Sequence, residues 1–463
     1  MNNNINETAV NGWRRRSPQP VLSKVRRGLK LRCVVIGCFV LFCLVGIFAP
    51  VRFAPARFSP VHEVGAVPHF ARKYDTNCNT CHVLPPKLNA FGESFLARGY
   101  RMPEGWKGGK STSSDSTTDS KSADRDVAAS PQNTDSKLVK FGKAIPNWVS
   151  VWNSGRYENV NSRFSKAYVN RVEVISAGHI GKSPFSYFVE WRPVSFETNS
   201  NGTLRDRSGR FEDVIVNVDI NNRNSLTFGQ YRSLRQVDVS RRLTITEPLI
   251  FSTSLAGDAT RNSRLQSLRA FAPSGRSAGA TYQFRSLLGK RPSDGLFHLI
   301  TVPMPSEFSI PLTSEARREA SFQFEGRPKG VFLETFYRRG LNTIGGHAFL
   351  DRDRRLVQGV GTLNYKRFYA TGGLGMDQRD TRSGRILRTR YSLEGEYLAT
   401  RSDVFRTMLG FRIEQITNAN RKPAYIPYFV VSGPNKKGTF SMAVQYRAQE
   451  RNDALLGEFS IIF

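Results

Sequence analysis

The chain has few residues able to make cross-links or hold a metal. Of 463 residues, five are cysteine and six are histidine. Cys33, Cys38 and Cys43 share one apolar run near the N-terminus, leaving only Cys78 and Cys81 for the rest of the chain. One closely spaced pair cannot make a disulfide framework. Long hydrophobic runs are also scarce. Beyond the N-terminal run none approaches the ~20 apolar residues of a membrane-spanning helix, and the mean hydropathy is −0.40, which excludes a bundle of transmembrane helices. Acidic residues are short as well, with 38 Asp and Glu against 68 Lys and Arg, for a net charge of +30. Such a charge raises nucleic acid or an anionic membrane as a partner. Residues 1–32 carry eight basic residues and one acid, and the chain from Arg57 onward keeps +22. That remaining excess is spread along the chain, with no single basic stripe and no zinc-finger spacing, which argues against nucleic acid.

The basic stretch 14–32 leads into the unbroken apolar segment Cys33–Ala49, followed by Ala54-Pro55-Ala56. A positive region, an apolar core and small residues in that order read as a cleaved export signal. The rival reading is an uncleaved anchor, at the short end of what crosses a bilayer. Either way the remainder is exported. Cys78-Asn79-Thr80-Cys81-His82 is a C-x-x-C-H motif, the attachment signature of c-type haem. Two thiols three positions apart reach the two vinyl groups of one haem, and the adjacent imidazole takes the iron from the same face. A redox dithiol would need a βαβ context that does not follow. Zinc would need further ligands, for which His62 and His69 lie near. The expectation is one covalent haem c. Candidates for the sixth ligand are Met102, in Tyr100-Arg101-Met102-Pro103, and His69, in Val67-Pro68-His69-Phe70; methionine would raise the reduction potential and a second histidine lower it. Leu88, Phe91, Phe95, Leu96 and Tyr100 recur at helical spacing, predicting a helix over 87–99 ended by Gly99. So small a segment cannot bury a large core, so it must rely on the haem or dock against something larger.

Residues 107–138 are dominated by Ser, Thr, Asp, Lys and Gly, a composition that cannot repay its ordering entropy. From Phe141 the texture changes to runs of about ten residues with period-two alternation between Gly, Asn, Asp, Ser or Pro turns. Phe405, Thr407, Leu409, Phe411 and Ile413 face one way, with Arg406, Met408, Gly410 and Arg412 opposite. Phe440, Met442, Val444 and Tyr446 oppose Ser441, Ala443, Gln445 and Arg447. Val214, Val216, Val218 and Ile220 oppose Asp213, Ile215, Asn217 and Asp219, before a hairpin turn at Asn221–Asn224. A polar face rich in Arg and Glu, strand lengths that suit a tilted crossing, aromatics assigned to strand ends (Trp148, Trp152, Tyr187, Trp191, Tyr397, Tyr425, Tyr428, Phe429) and a terminal strand ending in Phe463 favour a transmembrane barrel over a soluble sandwich. The fold class predicted is all-β, a transmembrane antiparallel β-barrel of about sixteen strands with a small N-terminal α-helical c-type haem domain. The segments 241–275 and 303–315 lack clean alternation and are expected as long loops or an inward fold. Arg171 with Glu173, Glu190 with Arg192, Glu334 with Arg338 and Arg412 with Glu414 are expected as a charge ladder in the lumen. The division is 1–56 basic extension and signal, 57–106 haem domain, 107–140 linker and 141–463 barrel.

The set Val67-Pro68-x-Phe70-Ala71-Arg72-Lys73-Tyr74, then Cys78-x-x-Cys81-His82, then Pro86-x-Leu88-Asn89-x-Phe91-Gly92 and Arg98-Gly99-Tyr100 resembles the haem segment of fused cytochrome–porins, outer-membrane proteins of iron-oxidising bacteria. The matched motifs cover 67–103, while the barrel matches in size and texture only. The resemblance implies electron uptake from extracellular Fe(II), through a haem domain plugging the lumen, to periplasmic carriers. The long linker and N-terminal extension depart from the pattern. The basic balance suits an anionic iron chelate, or a partner with an acidic surface, better than free Fe²⁺. The competing readings are a transport porin that the haem domain gates or uses to sense redox state, and a haem enzyme such as a peroxidase, for which no distal acid–base pair stands out. The partners expected are outer-membrane lipid, an extracellular donor and a periplasmic carrier.

Overall fold

The computed structural model describes residues 68–103 and 146–462, apart from 161–163, 200–201, 238–241, 252–275, 290, 305, 310–320, 325–329, 353, 382–383, 403–404, 418–421, 434–438 and 450–452. The expected export signal and the Ser/Thr/Asp linker lie outside the described residues. Two short helices, α1 (Pro68–Lys73) and α2 (Ala90–Ala97), flank a two-stranded ribbon of His82–Leu84 and Lys87–Leu88. The barrel strands follow: β1 (Ser150–Val160), β2 (Phe164–His179), β3 (Phe185–Thr198), β4 (Arg210–Asp219), β5 (Asn224–Arg232), β6 (Arg276–Leu287), β7 (Gly295–Met304), β8 (Val331–Arg339), β9 (Asn342–Leu350), β10 (Arg354–Tyr365), β11 (Phe368–Thr381), β12 (Gly384–Arg401), β13 (Arg406–Ile416), β14 (Ala424–Gly433), β15 (Thr439–Arg447) and β16 (Ala454–Ile462). These sixteen pair antiparallel in sequence order, and β16 closes on β1, with Ile462 opposite Trp152 and Ala454 opposite Val160. Three shorter strands, Leu204–Asp206, Ser306–Ser309 and Ser321–Phe324, extend one rim.

The alternation read from the sequence sorts as a membrane barrel requires. On β8, Val331, Leu333 and Tyr337 face out while Phe332, Glu334 and Phe336 are buried inside. Leu374 and Met376 of β11 are 60% and 54% exposed, whereas Arg412 and Glu414 of β13 are wholly buried. An apolar exterior around a charged interior is stable only with lipid outside, which makes this a transmembrane barrel of the outer-membrane type. The faces expected for 405–413, 440–447 and 214–220 are those observed, and Asn221 closes the predicted hairpin, its Oδ1 accepting from the amides of Arg223 and Asn224. Two of the aromatics assigned to strand ends lie in the lumen instead. Trp152 stacks under the Arg171 guanidinium, and Tyr428 donates from its hydroxyl to Glu394 and Glu396 at 2.6 and 2.9 Å. The Tyr428 hydroxyl finds acceptors inside that lipid lacks, and the Trp152 ring face finds a cation there.

One rim carries only connections of a few residues, and the other carries 199–209, 233–275 and 305–330. Short turns mark the periplasmic side of such barrels and long loops the extracellular side. From the long-loop side, residues 233–237 and 242–251 turn into the lumen, meeting the expected segment 241–275 only at 242–251; 252–275 and 310–315 lie outside the described residues, and within 303–309 Pro303 and Met304 end β7 while Ser306–Ser309 is a short strand. Leu234, Val237, Ile250 and Phe251 pack on Phe332, Phe349, Leu356 and Val360 of the wall. A buried irregular segment must satisfy its backbone polar groups. Wall side chains do this here. Glu334 accepts from the amides of Arg235 and Gln236, Glu414 from Leu249, and Gln445 from Ile245, while Gln358 donates to the Ile250 carbonyl. This corrects one rung of the expected ladder. Arg171–Glu173, Arg192–Glu190 and Arg412–Glu414 pair at 3.2, 3.2 and 3.1 Å. Glu334 instead serves backbone amides, and Arg338 turns to Glu93 at 3.1 Å. The predicted helix over 87–99 also starts later, because the Asn89 side chain caps the Gly92 amide and leaves Lys87 and Leu88 in the ribbon.

The lipid-facing position of Leu374 predicts that Leu374→Arg destabilises the folded barrel by ~2–4 kcal/mol, the range for a cation near the bilayer midplane. Urea titration in lipid, read by the heat-modifiable mobility of the folded band, measures this. Wild-type stability in the variant would show that this face does not meet lipid.

Candidate functional site

Residues 68–103 lie inside the short-turn mouth of the barrel. The C-x-x-C-H loop is built by local rules. Asn77 caps its 3₁₀ turn through the Thr80 amide. Asn89 then ties that loop to α2, donating from its amide to the carbonyls of Asn79 and Thr80 at 3.0 and 3.1 Å while its own backbone amide bonds the Cys81 carbonyl. A Cβ on Gly92 would fall 2.2 Å from the Cys81 carbonyl oxygen, so only glycine lets the helix approach this closely. Phe70 meets Phe95 edge-on at 4.9 Å and stacks on Tyr100 at 5.3 Å, forming the apolar side of the segment with Tyr74, Leu96 and Met102.

The segment is fixed to the wall all round. Val83 and Leu84 pack on Leu398, Met408 and Val430. The Arg406 guanidinium donates to the Val83 and His82 carbonyls at 2.6 and 3.2 Å. Lys87 forms an ion pair with Glu396, Glu93 with Arg338, and Ser94 bonds Ser293 at 2.9 Å. Arg72 donates to the Val149 carbonyl at 2.6 Å and Arg101 to that of Ser183. Each partner belongs to a strand end or turn near the same rim, so the segment plugs that mouth.

Between plug, inward segment and wall lies a cavity of about 510 Å³, within the ~300–1,000 Å³ typical of ligand and cofactor sites. Cys78, Cys81, His82, His69 and Met102 all line it. The structure therefore brings together every candidate named for the haem, while His62, named for zinc, lies outside the described residues. The wall adds Trp152, Arg171, Glu190 and Arg192, of which the three charged residues are expected in the lumen but not as part of this site, and the inward segment adds Arg242 and Leu243, which the sequence does not mark. Burial pushes the Cys78 and Cys81 thiols up to about 12, with their mutual proximity adding to the effect at Cys78. As free thiols neither would ionise near neutral pH, which speaks against a redox dithiol. The His82 Nδ1 donates to the Pro86 carbonyl at 3.1 Å, which fixes the tautomer and puts the ring lone pair on Nε2, the nitrogen that could take a metal. His69 is 1% exposed. Burial holds its pKa near 4, outweighing the nearby Ala177 carbonyl, while the charges of Arg72 and Lys73 push the same way as burial, so the imidazole is neutral at neutral pH. Its Nδ1 lies 2.7 Å from the Ser150 hydroxyl, and its buried Nε2 has no partner of hydrogen-bonding geometry. An unpartnered buried nitrogen is costly unless something fills it. Two thiols with an adjacent imidazole, a second neutral imidazole and an apolar cavity form a donor set that fits a covalently held haem. Met102 reaches the same cavity from the aromatic cluster.

No family model matches the chain. No curated protein matches it. Among solved structures it is similar to a loop-deletion mutant of OmpT, an outer membrane protein of Vibrio cholerae, at 11% identity and a TM-score of 0.37, covering 68% of this chain and 97% of that one. It is also similar to the outer membrane channel DcaP of Acinetobacter baumannii, at 8% identity and a TM-score of 0.38, covering 68% and 96% of the two chains. For a mutant porin of Rh. blastica the values are 10%, 0.39, 68% and 100%.

Barrels of sixteen or more strands leave an aqueous channel unless plugged. In planar bilayers the wild-type protein is therefore expected to show no sustained conductance, and the double variant Lys87→Glu/Arg406→Glu, which removes two wall anchors, is expected to open. A steady porin-sized current through the wild type would overturn the plugged reading and favour a transport porin.

Proposed function

We propose that the chain is an outer-membrane electron conduit, carrying one covalent haem c on Cys78, Cys81 and His82 with His69 as sixth ligand, and passing electrons from an extracellular donor such as Fe(II) to a periplasmic carrier. The observation that carries this reading is the cavity that holds the C-x-x-C-H motif beside the neutral, unpartnered Nε2 of His69, in a lumen filled from both ends. A haem bound there supplies one-electron chemistry at its iron. The chain's own residues do the rest. Cys78 and Cys81 hold the group irreversibly, and His82 ligates from a tautomer set by Pro86. Phe70, Phe95 and Leu88 exclude water, and the wall anchors keep the plug seated. His69 is favoured over Met102 because its ring is already oriented. Ligation by two histidines implies a lower potential than His–Met ligation.

The periplasmic face fits a carrier with an acidic surface. Among the described residues at the short-turn rim and on the plug, Lys73, Lys182, Arg223, Arg291, Arg339, Lys366, Arg367 and Arg401 are exposed, eight cations against the exposed carboxylate of Asp75. Asp219 and Asp294 at the same rim are partly buried. Lys73 sits on the plug itself, away from lipid. A ring of one sign around a redox centre steers an oppositely charged partner and raises its association rate.

For protein purified oxidised from outer membranes, anaerobic Fe(II) is expected to give a low-spin ferrous spectrum rapidly, and Cys78→Ser/Cys81→Ser to abolish the haem band. A haem reduced by dithionite but not by Fe(II) or an anionic Fe(II) chelate would remove iron as the donor. The charge ring makes a separate prediction. Electron transfer from the reduced protein to succinylated, acidic cytochrome c should be at least tenfold faster at low salt than to the unmodified basic form, and Lys73→Glu/Lys182→Glu/Arg223→Glu should erase the difference. Equal rates with both probes would sink the acidic-carrier assignment.

A further inference from the structure

Ser150 is the first residue of β1 and fully buried, opposite Ile175 of β2. β1 is also the strand on which β16 closes the barrel. The Ser150 hydroxyl accepts from the backbone amide of His69 at 3.2 Å and lies 2.7 Å from its Nδ1, a contact between residues 81 positions apart. One residue earlier, the Val149 carbonyl accepts from Arg72 at 2.6 Å. The start of β1 and α1 are thus clipped together at His69 and again one turn on at Arg72. A serine oxygen has two lone pairs, so it can take both the fixed amide hydrogen and a hydrogen on Nδ1. With the hydrogen on Nδ1 and the serine oxygen accepting it, the imidazole keeps its lone pair on Nε2.

We infer that Ser150 is a positioning residue for the haem: it orients His69 as an iron ligand, so that closing the barrel sets the ligation and potential of the group held in its lumen. This rests on the haem reading above and deepens it. A hydrogen bond accepted from Nδ1–H makes an imidazole a stronger donor to iron and favours the ferric state, which lowers the potential. Ser150 therefore does from the barrel wall what Pro86 does for His82 from within the plug.

The test uses the full-length protein from outer membranes of a host competent for c-type maturation. It combines a spectroelectrochemical titration with low-temperature electron paramagnetic resonance. Wild type is expected to give a low-spin signal of two histidines. Ser150→Ala is expected to shift that signal, raise the midpoint potential and leave the heat-modifiable mobility of the barrel unchanged, and Ser150→Thr to restore wild-type values. If Ser150→Ala fails to assemble, Ser150→Gly removes the same hydroxyl. A hydroxyl-free variant with wild-type potential and signal, in a protein where His69→Ala changes both, would overturn the role of Ser150 and leave the haem reading standing. A signal that changes in Met102→Leu and not in His69→Ala would overturn it by removing His69 as the ligand. A protein with no haem band would overturn the function proposed above as well.

Discussion

A barrel of sixteen strands encloses more space than its own inward side chains can fill, and whatever fills that space must bring satisfied backbone groups with it. Two segments enter from opposite ends to meet this demand. Residues 233–237 and 242–251 come from the long-loop side with little secondary structure, so the wall supplies their missing partners through Glu334, Glu414, Gln358 and Gln445. Residues 68–103 come from the other side as a small unit with its own caps and aromatic cluster, and they need the wall mainly for anchorage. The cavity is the space left where the two meet, with the C-x-x-C-H loop on one surface and Arg242 and Leu243 of the inward segment on another. Neither segment alone would enclose it.

The same demand explains why the lumen charges read differently in the fold than along the chain. Arg171 and Glu173 stand two apart on one strand, so their side chains share a face and pair as the spacing suggests. Glu334 and Arg338 also share a face, and the simple expectation is again a pair. The inward segment arrives between them with bare amides at Arg235 and Gln236 and carbonyls at the same residues. Glu334 takes the amides, and Arg338 donates to both carbonyls and to Glu93. Chain from far away in sequence displaces the local pair because its buried backbone groups have no other partner.

This separates what the sequence makes legible from what it does not. Period-two alternation is local, so strand faces, the closed barrel and the turn at Asn221 are all readable. The residues of the C-x-x-C-H motif are readable because they stand together in the chain, and the fold keeps them on one loop. The beginning of α2 is less so. Leu88 continues the helical spacing, yet Asn89 is a strong cap and Gly92 must touch the Cys81 carbonyl, so the helix begins one turn later than the apolar pattern suggests. Trp152 and Tyr428 have the composition of a membrane girdle but find polar partners inside. Ser150 is invisible in sequence. Nothing in a lone serine opening a strand points to a histidine across a long linker, and only closure of the barrel brings the two within 2.7 Å.

In the proposed conduit the two mouths are not equivalent. The plug holds the motif close to the short-turn rim, so a carrier docking on the cationic periplasmic face approaches the cofactor across little more than α1 and the start of β1. From outside, the inward segment and the packed wall behind it stand in the way, stitched through Arg412 to the Thr246 carbonyl and through Glu414 to the Leu249 amide. A donor must therefore give up its electron at the far side of that layer rather than carry it through. Blocking the lumen to ions and metal oxides while keeping a cofactor inside needs a filling that is fixed, and buried backbone bonds to wall side chains hold it in place. The contact of Ser150 with His69 adds a consequence. If the wall orients the iron ligand, a chain whose barrel has not closed would hold its haem with a loose sixth position. The potential suited to electron uptake would then exist only after the barrel has closed in its membrane.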